Sequence, residues 1–397
     1  MHIAFFVSSF PVLSETFIVN QIVGLKRCGH KVHIYAQTGS AEEQVQPAVL
    51  DFDLLSDTIF LDRLPKKRAA RILKLLACLV RIRTLTDLRL FTSFLRRARS
   101  ENLSVYESVF YTGKPHYDVV HAHFGVNGNY VAKLKRLGLF SQSRFVTTFH
   151  GYDLEASKAS YTNLFRVGDV FATNSDYSVQ KLVALGCPVQ KLKKIPVGLD
   201  VTYFNNGLSA QKDDKCFTIL YVGRLVPFKG PDMVIRICDC LRQLGLSFQA
   251  NIVGEGEMRK DLQAMITEYG LERNVRLLGA KTQVEVRTLM SLADVFLLPG
   301  RTVNGRAENQ GLVIQEAQAM GLPVIVSNAG GMKEGITDGE TGFVVAEDDI
   351  VAFANKIESL ATNEDRRKTL GNAGRELVIR KFDMTLLTGK LLEIYAN

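Results

Sequence analysis

The chain has 397 residues, enough for two domains with separate cores, and its 46% hydrophobic and 23% charged content excludes a disordered or low-complexity protein. Its six cysteines are scattered, with only Cys238 and Cys240 close together, so neither a disulfide framework nor a four-ligand zinc site is expected; they read as free thiols of a reducing compartment. The net charge of +8 is local: twelve Lys and Arg against the single acid Asp87 between Arg63 and Arg99 give that segment +11 and leave the remainder at −3, so no general affinity for nucleic acid is implied.

The opening MHIAFFVSSFPVLSETF lacks a basic leader and a small-residue cleavage site, and it reads as a buried first strand rather than a signal peptide. A helix is expected from about Thr16 to Cys28, followed by the strand KVHIYAQ. The DFD at Asp51 and Asp53 could in principle hold a divalent cation, but with no supporting context it reads as a surface loop. Beyond it, Lys67, Arg71, Lys74 and Arg81 form one stripe at helical spacing, with Ile72, Leu73, Leu76, Leu79 and Val80 on the adjoining face. Such a helix can rest on an anionic membrane surface. No aromatic residue interleaves with these cations before Phe91, which argues against a nucleic-acid role. No window reaches the roughly 18 apolar residues of a membrane span, so the expectation is a cytoplasmic protein, peripheral on the inner membrane face.

Strands YDVVHAHF, RFVTTFHG and VFATNS complete a first series. His121 and His123 are read as sending their rings to opposite sides, so a shared metal is not expected. His150 and Asp153 stand at a strand end, where a histidine can donate to a sugar hydroxyl, although a lone loop histidine is more often structural. A turn-rich linker over 198–215 leads to a second series: CFTILYVGRL, a helix near Asp232 to Leu244, QANIVGEG, a helix near Met258 to Tyr269, VRLLGA, VFLLPG and PVIVS. Continuous apolar strands alternating with helices imply parallel sheets covered on both faces, hence an α/β protein with two doubly wound units. The closing FDMTLLTGKLLEIYAN is an amphipathic helix whose leucines need cover.

Ligands of such sheets bind beyond the carboxyl ends of the strands, and the candidate residues follow strands. Arg224 and Lys229, beside Gly223 and Gly230, can neutralise a diphosphate, and Gly230-Pro231-Asp232 reads as a helix start. Gly254 and Gly256 form a G-x-G that lacks the third glycine of a dinucleotide fingerprint, and no P-loop is present. Glu308 and Glu316 bracket Asn309, Gln310, Gly311 and Leu312 at a helix mouth. That arrangement suits either a phosphate or ordinary capping.

GRLVPFKG, VGEGEMRKDL, the E-x7-E from Glu308 to Glu316 and AMGLPVIVSNAGGMKEGITDGETGFVV together resemble the C-terminal half of retaining glycosyltransferases of family 4. FPVLSETFIVNQI is similar to members that build bacterial exopolysaccharides of the colanic acid type. The resemblance implies the GT-B fold: two Rossmann-like domains facing across a cleft, residues 1–197 (completed by a returning helix, 382–397) on the acceptor side and 216–381 binding the nucleotide sugar. It implies that Arg224 and Lys229 hold the donor diphosphate, with His150 and Glu308 at the transferred sugar. Gly223, Gly254 and the backbone from Asn309 through Gln310 and Gly311 to Leu312 would contact the donor, and Glu316 would bind its ribose. Ser14 and Glu15, in a loop SSFPVLSET that departs from the glycine-rich pattern of many members, and Asp153 would lie on the acceptor side. No metal and no cofactor are expected. The substrates implied are a nucleoside-diphosphate sugar and a lipid-linked saccharide; a sugar-nucleotide epimerase of the same fold, or a non-catalytic sugar-nucleotide-binding subunit of a membrane complex, are the alternatives.

Overall fold

The computed structural model describes residues 1–13, 15–40, 45–61, 69, 73, 76, 111, 114–155, 160–205 and 216–396. Ser14 and the stripe Lys67, Arg71, Lys74 and Arg81 lie outside the described residues. The chain divides into two compact units. The first comprises Met1–Thr173, Val179–Lys194 and Lys390–Asn397, and the second Asn174–Ser178 and Ile195–Gly389.

The first unit is built on strands β1 (His2–Phe10), β2 (Lys31–Gly39), β3 (Thr58–Phe60), β4 (Val119–His123), β5 (Arg144–Phe149), β6 (Val170–Thr173) and β7 (Leu192–Lys194). They form one parallel sheet in the order β3-β2-β1-β4-β5-β6-β7. All five residues of β4 are buried, as a central strand covered on both faces requires. An aromatic cluster of Phe6, Tyr35, Tyr111, Tyr117 and Phe140 fills one side of this sheet. The Tyr35 and Tyr117 hydroxyls satisfy each other at 2.7 Å.

The second unit repeats the plan with β8 (Phe217–Val222), β9 (Phe248–Val253), β10 (Val275–Gly279), β11 (Val295–Leu298), β12 (Val324–Ser327) and β13 (Phe343–Val345), ordered β10-β9-β8-β11-β12-β13. Helix Pro231–Gln243 starts with proline in its first turn and buries Val234, Ile237, Cys238 and Leu241 along one stripe. Helix Gln283–Leu292 is opened by a capping box between Thr282 and Glu285, and helix Ile350–Ala361 by the Asp349 carboxylate. Leu199 and Phe204, in the segment read as a linker, belong to this unit's core; Leu199 bridges to Asp383, and its carbonyl accepts from Met384 N at 2.9 Å.

In both sheets the strand order reverses beside the first strand, between β1 and β4 and between β8 and β11. These are the switch points at which doubly wound sheets take their ligands.

Candidate active site

In the second unit the loops after β8 and β11, on the two sides of the switch point, bring together residues far apart in sequence. Lys229 forms an ion pair with Glu308, and each side chain keeps only 14% of its surface exposed. Burial alone would raise the Glu308 carboxyl. Lys229, the hydrogen bond the two share, the Asn309 amide and Arg224 outweigh it and hold the carboxyl below its usual range. Arg224 is exposed, and its guanidinium stands 5.9 Å from the centre of the Phe228 ring, which also receives Lys229 Nζ at 5.9 Å and Arg306 at 4.2 Å. Three cations thus surround one buried aromatic ring, whose negative faces ease their mutual repulsion.

The loop carrying Lys229 is held from below. Arg301, just past β11, reaches both Asp232 oxygens at 2.5 and 2.6 Å, while its backbone N–H donates to the Phe228 carbonyl at 2.9 Å. Asp232, placed above at a helix start open to an anion, has its carboxylate committed to Arg301. Gly230 adopts φ +67°, and a side chain there would meet the Pro299 carbonyl. Gly254 is explained by close approach: a Cβ on it would stand 1.9 Å from the Gly223 carbonyl, so the turns after β8 and β9 pack backbone to backbone. Under the site the Tyr221 hydroxyl donates to the Arg224 carbonyl at 3.2 Å.

Gly311 precedes helix Leu312–Ala319, and no side chain caps the first N–H groups of that helix. On that helix Glu316 is half-buried, and desolvation pushes its carboxyl up to about 7. No described side chain hydrogen-bonds to it. The side chains of Asn309 and Gln310 are spent inside the unit. The Asn309 amide is engaged by Ser175, by Ser178 at 2.5 Å and by Asn174; the Gln310 amide clamps the Val197 backbone at 2.7 and 3.0 Å. Only their backbone remains to face a donor.

In the first unit His150 follows β5 and is partly exposed. Its Nε2 lies 2.9 Å from Nδ1 of His123, with the two rings stacked at 8°. The expectation that His121 and His123 diverge is wrong, because residues two apart on a strand share a face; their rings lie 4.4 Å apart. His121 is held by the Tyr395 and Thr148 hydroxyls at 2.6 and 2.7 Å. Tyr395 comes from the closing helix Met384–Ala396, whose last residues join this unit. No group of three or more His, Cys, Asp or Glu suited to a metal occurs among the described residues. Asp153 also departs from its expected acceptor role. It is 3% exposed, its oxygens accept the Gly125 and His150 amides at 2.8 and 3.0 Å, and burial pushes it up to about 6. Glu15 stands at the start of helix Thr16–Arg27 and makes no side-chain capping bond to it. Asp51 and Asp53 are exposed, at the end of helix Pro47–Asp51 and in the turn after it.

Two cations and a carboxylate at a switch point, with a second carboxylate one helix turn beyond a helix start, have the charges and acceptors that a sugar nucleotide requires. Comparison with known proteins gives the family. The family pattern for glycosyl transferases group 1 matches residues 208–377, and that for glycosyltransferase family 4 matches residues 14–203. The chain is 31% identical to the amylovoran biosynthesis glycosyltransferase AmsK of Erwinia amylovora, over 99% of both chains. It is 30% identical to the putative colanic acid biosynthesis glycosyltransferase WcaL of Salmonella typhimurium, again over 99% of both. The chain belongs to this glycosyltransferase family. Its fold is GT-B, and the glycosyltransferase matches the structure of Anabaena HepE in complex with UDP-glucose with a TM-score of 0.71 at 19% identity, covering 100% of this chain and 99% of that one. Sequence reasoning missed Arg301, Arg306 and Tyr221 and misread His123. Arg301 was signalled as a cation just past a strand, and the place of His123 by its spacing from His121.

Proposed function

We propose that this glycosyltransferase moves a hexosyl unit from a nucleoside-diphosphate sugar to a lipid-linked saccharide in bacterial exopolysaccharide synthesis, with retention at the anomeric carbon. The observation that carries the reading is the Lys229–Glu308 pair beside Arg224 at the switch point of the second sheet. Arg224 and Lys229 neutralise the diphosphate and the charge that grows on it as the bond to the sugar breaks. Glu308, kept ionised, accepts from hydroxyls of the sugar, and Glu316 accepts from the ribose. His150 hydrogen-bonds the transferred sugar. The departing phosphate oxygen takes the proton of the attacking hydroxyl, so attack and departure share one face of the sugar and the configuration is kept. The names of the amylovoran and colanic acid relatives support the exopolysaccharide setting.

No helix among the described residues is long and apolar enough to cross a membrane. The contact with anionic lipid is assigned to Lys67, Arg71, Lys74 and Arg81 on their charge and helical spacing in the sequence, each cation contributing about 1 kcal/mol near such a surface. Incubation with labelled donors and a lipid-linked acceptor, followed by anomeric analysis, tests the reaction; an inverted linkage would sink it.

A further inference from the structure

The three imidazoles of the first unit form a column whose hydrogen bonds leave one proton position to be decided. His121, His123 and His150 follow one another at ring separations of 4.4 and 5.1 Å. Phe5 packs against the first two at 5.0 and 5.2 Å, and Phe17 and Phe124 pack against His150 at 4.3 and 4.9 Å. Burial holds all three rings far below the ordinary histidine value, so each is neutral and carries one N–H. Both nitrogens of His121 meet hydroxyls, which can donate or accept as needed. His123 has no such freedom. Its Nδ1 faces His150 Nε2 at 2.9 Å, and its Nε2 is buried with no partner among the described residues.

Two arrangements fit the single proton between these rings. If His123 carries its proton on Nε2, a buried N–H is left unpaired, while His150 must donate from Nε2. If the proton is on Nδ1, the His123 donor is used and only a lone pair is left bare. Unpaired buried N–H groups are the rarer and costlier defect. We infer that His123 is a positioning residue that donates from Nδ1 to His150 Nε2 and thereby locks the His150 proton on Nδ1. The His150 backbone is fixed as well, its amide donating to Asp153 at 3.0 Å.

His150 is consequently a fixed hydrogen-bond donor at its exposed edge. Its Nδ1 has no partner among the described residues, and in this tautomer it can donate to a sugar oxygen but cannot accept a proton there. This consequence rests on the assignment of His150 to the transferred sugar. The lock works against intrinsic preference, because an unconstrained neutral histidine favours the proton on Nε2.

Two-bond proton–nitrogen correlation spectra of the full chain, labelled with nitrogen-15 histidine and assigned with His150→Gln, read the tautomer directly. His150 is expected with Nδ1 protonated and Nε2 bare; the opposite pattern overturns the inference. In His123→Leu the His150 signals should move to the Nε2-protonated pattern, whereas His123→Asn, whose amide N–H can take the place of Nδ1, should keep the original one. A Leu variant with an unmoved pattern shows that His123 is not the cause; if that variant does not fold, the wild-type spectrum decides. Turnover should fall about tenfold in His123→Leu with the donor KM within about twofold, and recover in His123→Asn. Unchanged turnover in a Leu variant with a shifted tautomer would refute the functional consequence. A spectrum as expected from a protein that transfers no sugar would refute the proposed reaction and leave the lock standing.

Discussion

Acid should weaken the first unit well before it reaches ordinary carboxylates, because the histidine column must be protonated on unfolding and cannot be while folded. Burial holds His121 and His150 down to about 3, from an ordinary 6.5, and drives His123 down as well. A histidine held low contributes stability that is full above its unfolded value and is lost as pH falls through that value toward the folded one. Between about pH 7.5 and about pH 5.5 His121 and His150 each forfeit about 1 kcal/mol, and His123, also held low by burial, adds a loss of the same sign. Asp153 acts with the opposite sign: raised to about 6 by burial, it takes up a proton in the folded state first. That offsets part of the loss over the same interval, leaving a net loss of about 2 kcal/mol or more and a net uptake of protons on unfolding near the lower pH. Against a typical domain stability of about 5–15 kcal/mol, such a loss is large. The chain has no tryptophan, so urea unfolding is best followed by hydrogen exchange of the peptides spanning β4 and β5, which reads the first unit by itself. His150→Gln should cut the acid-dependent loss by about 1 kcal/mol whatever it does to stability at neutral pH. A wild-type loss below about 1 kcal/mol, or an unchanged pH dependence in His150→Gln, would show that the rings titrate in the folded protein and would refute the neutral column.

Lys229→Ala and Arg224→Ala should each lower turnover by about a hundredfold or more with the fold intact, the loss of one preorganised charge being worth roughly 2.7–4 kcal/mol of barrier; unchanged turnover removes the diphosphate assignment. Glu316, raised to about 7 by burial, must be ionised to accept from ribose hydroxyls, so donor affinity should fall as pH drops below that value. Glu316→Gln should weaken the donor and abolish that pH dependence, whereas Glu308→Gln should mainly lower turnover; the reverse pattern would exchange their roles. Sedimentation with liposomes should need anionic lipid and fade with salt, and changing Lys67, Arg71, Lys74 and Arg81 to Gln should abolish it; unaltered binding would reassign the segment.

The architecture was legible because its central strands are uninterrupted apolar runs, and only parallel strands covered on both faces need such runs. The positions of Arg224, Lys229, Glu308 and Glu316 could be read from their place after strands and at a helix mouth. Their pairing could not, since Lys229 and Glu308 meet only through the adjacency of β8 and β11. The backbone of Asn309 and Gln310 was expected to face the donor, and the role of their side chains was not legible, because the partners of those amides, Ser175, Ser178 and Val197, lie more than a hundred residues earlier. Asp153 misled because its Gly125 donor lies 28 residues earlier; its other donor, the His150 amide, is only three residues away. His123 is different: the period of two along β4 already placed it beside His121, and the sequence was misread there.

The central claim is that the site built by Arg224, Lys229, Glu308 and Glu316 transfers a sugar from a nucleoside diphosphate with its configuration kept. Purified protein incubated with a panel of isotopically labelled UDP-, GDP- and ADP-sugars and lipid-linked saccharide, with the product's anomeric coupling read by NMR, tests it most directly. One donor class should give a glycosylated lipid-linked product with the donor's own anomeric configuration, and Lys229→Ala should lose it. An inverted linkage, or sugar released freely with no transfer, would contradict it.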